Sequence, residues 1–177
     1  MIIMIIYATI SFLLDGLFSN FMNVGIINPS IFRTIFSVIA ISIMFNYFDN
    51  YKKYYYILLG MGSLFDIVYT NTFLLNIFLF FIIFFILEKL NYFVPNNIFT
   101  INIKSLLAIF LYHSLSYLIL MMANYEYYSI NLLWSILTHS IISTVIYASI
   151  SYLIIKRVFF KKYDKKIRWI FNIFFKF

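Results

Sequence analysis

Three ionisable residues interrupt otherwise apolar stretches of this chain: Asp15 in LLDGLF, Arg33 in SIFRTI and Asp66 in SLFDIV. Two carboxylates and one guanidinium are the raw material of a buried ion pair, a proton relay or a charged-ligand site. An ionised group inside a hydrocarbon layer is unfavourable by roughly 2.5–3.5 kcal/mol on insertion scales, so each needs a partner or a task. Counted along their stretches at a rise of about 1.5 Å per residue, all three fall toward the same side. The expectation is that Arg33 pairs with Asp15, Asp66 or both and ties three helices together. Two histidines, His113 and His139, lie near the middle of two later stretches. Ser135, His139, Ser143, Tyr147 and Ser151 follow one another at four-residue intervals, a polar stripe that winds slowly around a helix. Such groups usually hydrogen-bond between helices. As metal ligands the histidines lack a neighbouring carboxylate. No His-Glu-x-x-His, no Gly-x-Ser-x-Gly and no phosphate loop occurs, and there are no cysteines. Neither an enzyme, a metal nor a cofactor is indicated.

The elements that must position these residues follow from composition. Of the 177 residues 64% are hydrophobic, 23% aromatic and 11% charged. A soluble domain of this length still leaves about a third of its unfolded surface in water, which such a composition cannot supply with polar groups. The prediction is an all-α polytopic membrane protein. A bilayer core needs about 20 apolar residues per helix. Six stretches answer, over Ile2 to Phe21, Ser30 to Phe48, Tyr54 to Tyr69, Thr72 to Leu90, Ser105 to Ala123 and Ile130 to Ile155. The first has no basic leader or cleavage site and reads as a retained span. Asn28-Pro29 precedes the second, where proline suits a helix start.

Charge supplies the orientation. Lys52 and Lys53 lie between stretches two and three, Lys89 and Lys104 between four and five, and Lys156, Arg157, Lys161, Lys162, Lys165, Lys166, Arg168 and Lys176 after six. Only Arg33 falls toward the other side. The positive-inside rule puts both termini in the cytoplasm. Residues 1–155 then form a transmembrane domain and residues 156–177 a basic tail. In the tail Phe160, Tyr163, Ile167, Ile170, Phe171 and Phe174 recur at helical spacing opposite the cations, as in an interfacial amphipathic helix. Lys161, Lys162, Lys165, Lys166 and Arg168 are placed to touch anionic lipid. The net charge of +7 is concentrated there rather than spread along a groove, which argues against nucleic acid.

The most distinctive segment is YYYILLGMGSLFDIVYTNTFL, from Tyr54 to Leu74. Glycine weakens a helix by about 1 kcal/mol against alanine. In membranes Gly60 and Gly62 would let another helix approach closely. Asp66 stands one turn after Gly62, and Thr70-Asn71-Thr72 makes a polar break that must be buried in protein or reach water. This segment resembles MreD, the small membrane subunit of the bacterial rod-shape machinery, in Gly62, Phe65, Asp66, Tyr69 and Thr70. It departs from that family at Leu58 and Leu74, where members often carry glycine. The resemblance implies a non-enzymatic scaffold of the bacterial cell membrane, with Gly60, Gly62, Phe65, Asp66 and Tyr69 packing against a partner helix. Implied partners are an MreC-like membrane protein, MreB filaments, the polymerase RodA and a class B penicillin-binding protein. The implied fold is similar to that of the substrate-binding subunits of energy-coupling-factor transporters. A vitamin-binding subunit of such a transporter is the alternative, since Asp15, Arg33, Asp66 and Tyr69 could line a polar pocket. Against it, Ala8 and Gly16 in span one lack the Ala-x-x-x-Ala spacing that the transporter class presents.

Overall fold

Runs of Leu, Ile and Phe with few glycines and prolines leave the helix as the way for this backbone to satisfy its own N–H and C=O groups. The computed structural model describes residues 2–21, 35–47, 51–70, 72–93, 97–123 and 129–174. Among them there are six α-helices and no strand: α1 (Ile2–Phe21), α2 (Phe36–Met44), α3 (Tyr51–Phe65), α4 (Leu75–Phe93), α5 (Ile98–Met122) and α6 (Ile130–Phe174). A single 3-10 turn, Phe45–Tyr47, extends α2, and a π-helical turn, Asp66–Thr70, ends α3. Among the described residues two segments are long and apolar enough to cross a membrane, Ile98–Met122 and Ile130–Arg157.

The boundaries depart from the sequence expectation in three places. Helix α5 starts about two turns before Ser105, because Asn97 and Thr100 form a reciprocal cap. The Asn97 side chain accepts from Thr100 N at 2.9 Å, and Thr100 Oγ1 accepts from Asn97 N at 3.0 Å. Lys104, expected in the loop before span five, is consequently buried within α5, where its Nζ donates to Asn91 Oδ1 of α4. Helix α2 begins after an extended residue, Ile35, rather than at Ser30, and residues 22–34 lie outside the described set. The backbone of α6 runs unbroken from Ile130 to Phe174, through the expected boundary at 155. The expected lipid contacts of Lys161, Lys162, Lys165, Lys166 and Arg168 concern side chains outside the described residues.

Helix α2 is the axis of the bundle. Every residue from Phe36 to Phe45 is buried, as expected of a helix that is apolar all round. It packs against α1, α5 and α6, while α3 pairs with α4 and α4 with α5. The core joins Met4 and Ala8 of α1 to Ile39, Ile41 and Ile43 of α2, Tyr54 and Leu58 of α3, Phe80 and Phe84 of α4 and Ala108 of α5. Ser42 of α2 lies 3.1 Å from Ser105 Oγ, and Tyr54 donates to the Ile41 carbonyl at 2.8 Å, so even the polar atoms of this centre bond across helices. Much of the outer surface is apolar too: Ile2, Leu13, Phe78, Phe85, Phe110, Leu118, Ile142 and Ile150 are all exposed.

Candidate functional site

Asp15 with Ser37, and Asp66 with Asn76, form polar clusters where α1 meets the start of α2 and α3 the start of α4. A helix start leaves four N–H groups without intrahelical acceptors. Ile35, the residue preceding α2, has no side-chain oxygen to offer them. Asp15, in the preceding helix, supplies one. Its Oδ1 accepts from Phe36 N at 2.6 Å, and its Oδ2 accepts from Ser37 N at 2.9 Å and Ser37 Oγ at 2.5 Å. The same device recurs at α4. Leu74 precedes that helix with φ of 62° and cannot cap it. Asp66 Oδ1 accepts from Asn76 N and Asn76 Nδ2, both at 2.9 Å, and from Thr72 Oγ1 at 2.6 Å. In each case one residue of the new helix, Ser37 or Asn76, gives the carboxylate both its backbone and its side-chain donor. The positive end of the helix dipole adds to the attraction.

A network surrounds Asp66. Asn76 Nδ2 also donates to Thr70 Oγ1 at 2.9 Å, Thr70 and Thr72 hydroxyls lie 2.7 Å apart, and Tyr112 of α5 donates to Asn76 Oδ1 at 2.6 Å. The π-helical turn brings Thr70 and Thr72 back toward the carboxylate, and Thr72 N bonds to the Asp66 carbonyl at 3.2 Å. Thr70 and Thr72 of the polar break foreseen in the sequence are thus folded around Asp66, and Asn71 lies outside the described residues.

Two glycines permit close approach. A Cβ at Gly62 would lie 2.7 Å from Ile77 Cα, so α3 and α4 touch there backbone to backbone. A Cβ at Gly16 would lie 2.6 Å from Tyr69 Oη. That opening lets the Tyr69 hydroxyl reach the Phe12 carbonyl at 2.6 Å and bind α3 to α1. Phe12, Phe65 and Tyr69 form an aromatic cluster beneath, with centroids 4.7–6.2 Å apart, and Phe65 continues it to Phe80 at 5.8 Å.

The sequence-predicted residues therefore divide. Asp15 and Asp66 serve helix starts, and Arg33, their expected partner, lies outside the described residues. Gly62, Phe65 and Asp66 are buried within this chain, and Tyr69 is half-buried against α1. Gly60 alone of that set faces outward, with no atom within 4 Å of a Cβ placed there. His113 is buried beside Tyr112, whereas His139 is exposed on α6, so the two histidines face different surroundings. His139 Nδ1 lies 2.7 Å from the Ser135 carbonyl, and Ser143 Oγ donates to the Ser140 carbonyl at 3.1 Å, both within α6. Interhelical ties of α6 include Tyr147, 2.7 Å from Ser11 Oγ of α1, and Ser149, which exchanges hydrogen bonds with the Asn102 amide of α5 at 2.9 and 3.2 Å. Sequence reasoning missed Ser37, Asn76 and Tyr112. The available signal was an aliphatic helix start preceded by a carboxylate that had no basic neighbour in sequence. Among the described residues no group of three or more His, Cys, Asp or Glu is placed to hold a metal ion. Comparison with protein-family profiles, curated proteins and solved structures gives no match.

Proposed function

We propose that this chain is a six-span membrane protein with both termini in the cytoplasm, acting as a non-enzymatic scaffold of the bacterial rod-shape complex. Its role is to couple an MreC-like partner, and through it MreB filaments, RodA and a class B penicillin-binding protein, to wall growth. The basic tail rests on anionic lipid. The observation that carries the reading is the α3–α4 hairpin. There the Gly62-x-x-x-Asp66 spacing behind the resemblance has a physical task at both ends, one residue giving close helix contact and the other starting the next helix. The many large apolar side chains exposed on the outside of the bundle support the lipid setting, since soluble monomers rarely expose large apolar patches. Alternation of basic connections with connections that carry no Lys or Arg supports the orientation.

The test is affinity purification of the tagged chain from bacterial membranes, together with its depletion. Co-purification of an MreC-like protein and loss of rod shape are expected. A tightly retained vitamin without such a partner would instead favour the transporter subunit. A C-terminus open to protease on intact cells would overturn the orientation.

A further inference from the structure

Helices α1 and α6 face each other through hydroxyl groups, one of which keeps a proton with no acceptor. Tyr7 and Ser11 stand four residues apart on α1, and Tyr147 and Ser151 four residues apart on α6, so each pair shares a helix face. The Ser11 and Tyr147 hydroxyls are 2.7 Å apart. One turn along, Tyr7 Oη comes close to the Tyr147 and Ser151 hydroxyls. A hydroxyl has one proton to give. Ser11 Oγ donates its own to the Tyr7 carbonyl at 2.8 Å. Tyr147 must therefore be the donor in the Ser11–Tyr147 bond, and its proton is spent too. The Tyr7 proton is not. Tyr7 Oη is shut off from solvent and, among the described residues, meets no acceptor in hydrogen-bond geometry. Ser11 and Ser151 beside it are themselves buried.

We propose that Tyr7, Tyr147 and Ser151 hold a buried water molecule that joins α1 to α6. The hydroxyl protons select the ligand. It must accept from Tyr7 Oη, and it must donate to Tyr147 Oη, which has given its own proton away and keeps a free lone pair. A metal cation has no lone pair for Tyr7, and a simple anion has no proton for Tyr147. Water supplies both, and with Ser151 it has the three partners that a buried water typically finds. The site completes a polar column along α1, in which Tyr7, Ser11 and Asp15 follow at four-residue steps. Asp15 is held by Ser37 of α2, Ser11 by Tyr147 of α6, and Tyr7 reaches α6 through the water. The site stands apart from the rod-shape reading and is tested without any partner.

The experiment is X-ray radiolysis of the detergent-purified full chain, mixed into heavy-oxygen water immediately before the pulse. Radiolysis turns a bound water into a hydroxyl radical that adds to the nearest aromatic ring, and a trapped water adds ordinary oxygen. Hydroxylation of Tyr7 and Tyr147 with ordinary oxygen is expected. Tyr54 is the control, being buried with its hydroxyl bonded directly to the Ile41 carbonyl. Ser151→Ala, which keeps both tyrosines, should reduce the label several-fold. Thermal unfolding reads the sign of Tyr7→Phe. Loss of a bridged hydroxyl should lower Tm by about 2–4 °C, whereas removing a dry, unmatched one would raise it. Label at Tyr7 and Tyr147 no stronger than at Tyr54, label indifferent to Ser151→Ala, or a rise in Tm for Tyr7→Phe would each overturn the proposal. A lowered Tm without the label would put a direct protein acceptor, from residues outside the described set, in the water's place and overturn it as well. The label on the unaltered chain decides the matter even where Tyr7→Phe does not fold.

Discussion

Substituting alanine at Gly60 and at Gly62 should have opposite effects. The two positions lie two residues apart on one helix and carry the same intrinsic penalty, about 0.8–1.0 kcal/mol for glycine against alanine. At Gly60 a Cβ meets nothing within 4 Å, so alanine should recover most of that penalty. At Gly62 the new atom would stand 2.7 Å from Ile77 Cα, 2.9 Å from Ile77 Cγ1 and 3.0 Å from Ile77 N. Two of these are backbone atoms that no side-chain rotation removes. Helices α3 and α4 must separate by roughly 1 Å, and overpacking of this kind is unfavourable by about 1–3 kcal/mol. The separation would also pull Asn76, next in sequence to Ile77, away from Asp66. The two variants should therefore differ by about 1–3 kcal/mol, with Gly62→Ala the weaker. For a chain of this size that is a Tm difference of roughly 3–10 °C. Thermal unfolding of the detergent-solubilised variants, followed by size-exclusion fluorescence, measures it. Equal stability of the two would refute the backbone contact between α3 and α4.

Asp15→Ala removes the acceptor for two N–H groups and one hydroxyl at the start of α2, and should destabilise by about 2–4 kcal/mol. Asp15→Asn keeps one carbonyl oxygen and should lose less; equal losses in the two variants would mean that a charge partner, not the helix start, holds this carboxylate. Leu74→Gly relieves a left-handed conformation that disfavours L-residues by about 1–2 kcal/mol, against a chain-entropy penalty of about 0.4–1, so Tm should rise slightly. A clear fall in Tm would contradict the positive φ at Leu74. Tyr69→Phe removes the hydroxyl that holds the Phe12 carbonyl while keeping the aromatic cluster, and should lower stability by about 1 kcal/mol, read in the same unfolding assay.

Helix number and the all-helical class were legible because long apolar runs separated by Asn, Pro and Lys admit little else. The start of α5 was not, because Asn97 and Thr100 look like loop residues until their reciprocal bonds are drawn. The significance of Gly62 was legible, since glycine in a helix signals close approach. Which helix approaches was not: a partner and α4 predict the same residue type, and α4 is the neighbour observed. Asp15 and Asp66 were conspicuous by charge, and the natural expectation looked for an opposite charge. Their described partners are uncharged donors whose position depends on where α2 and α4 begin. Helix starts without a capping side chain are the least visible boundaries in sequence. His139 illustrates the reverse error. Four-residue spacing placed it in an interhelical stripe, but the stripe drifts around α6, so Tyr147 points into the bundle and His139 out of it.

The two aspartates share a logic that bears on how the hairpins assemble. Helix α1 continues six residues past Asp15, about 9 Å, so α2 starts level with the body of α1 rather than at its end. Its first N–H groups therefore open into packed protein, where an unmet donor is unfavourable by about 1–3 kcal/mol. A serine or asparagine at the position of Ile35 could meet one or two of them but would add a polar side chain to an apolar junction. A carboxylate from the neighbouring helix meets three donors with one residue and fixes the height of α2 against α1. Asp66 fixes α4 against α3 in the same way. Both hairpins are then registered by an anion that belongs to the first helix and a donor pair that belongs to the second. A one-residue slip of α2 against α1 would break three hydrogen bonds at once, a slip of α4 against α3 would break the two from Asn76, and Gly62 holds α3 and α4 close enough for Asp66 to meet them. On this reasoning Asp15 and Asp66 are devices of assembly.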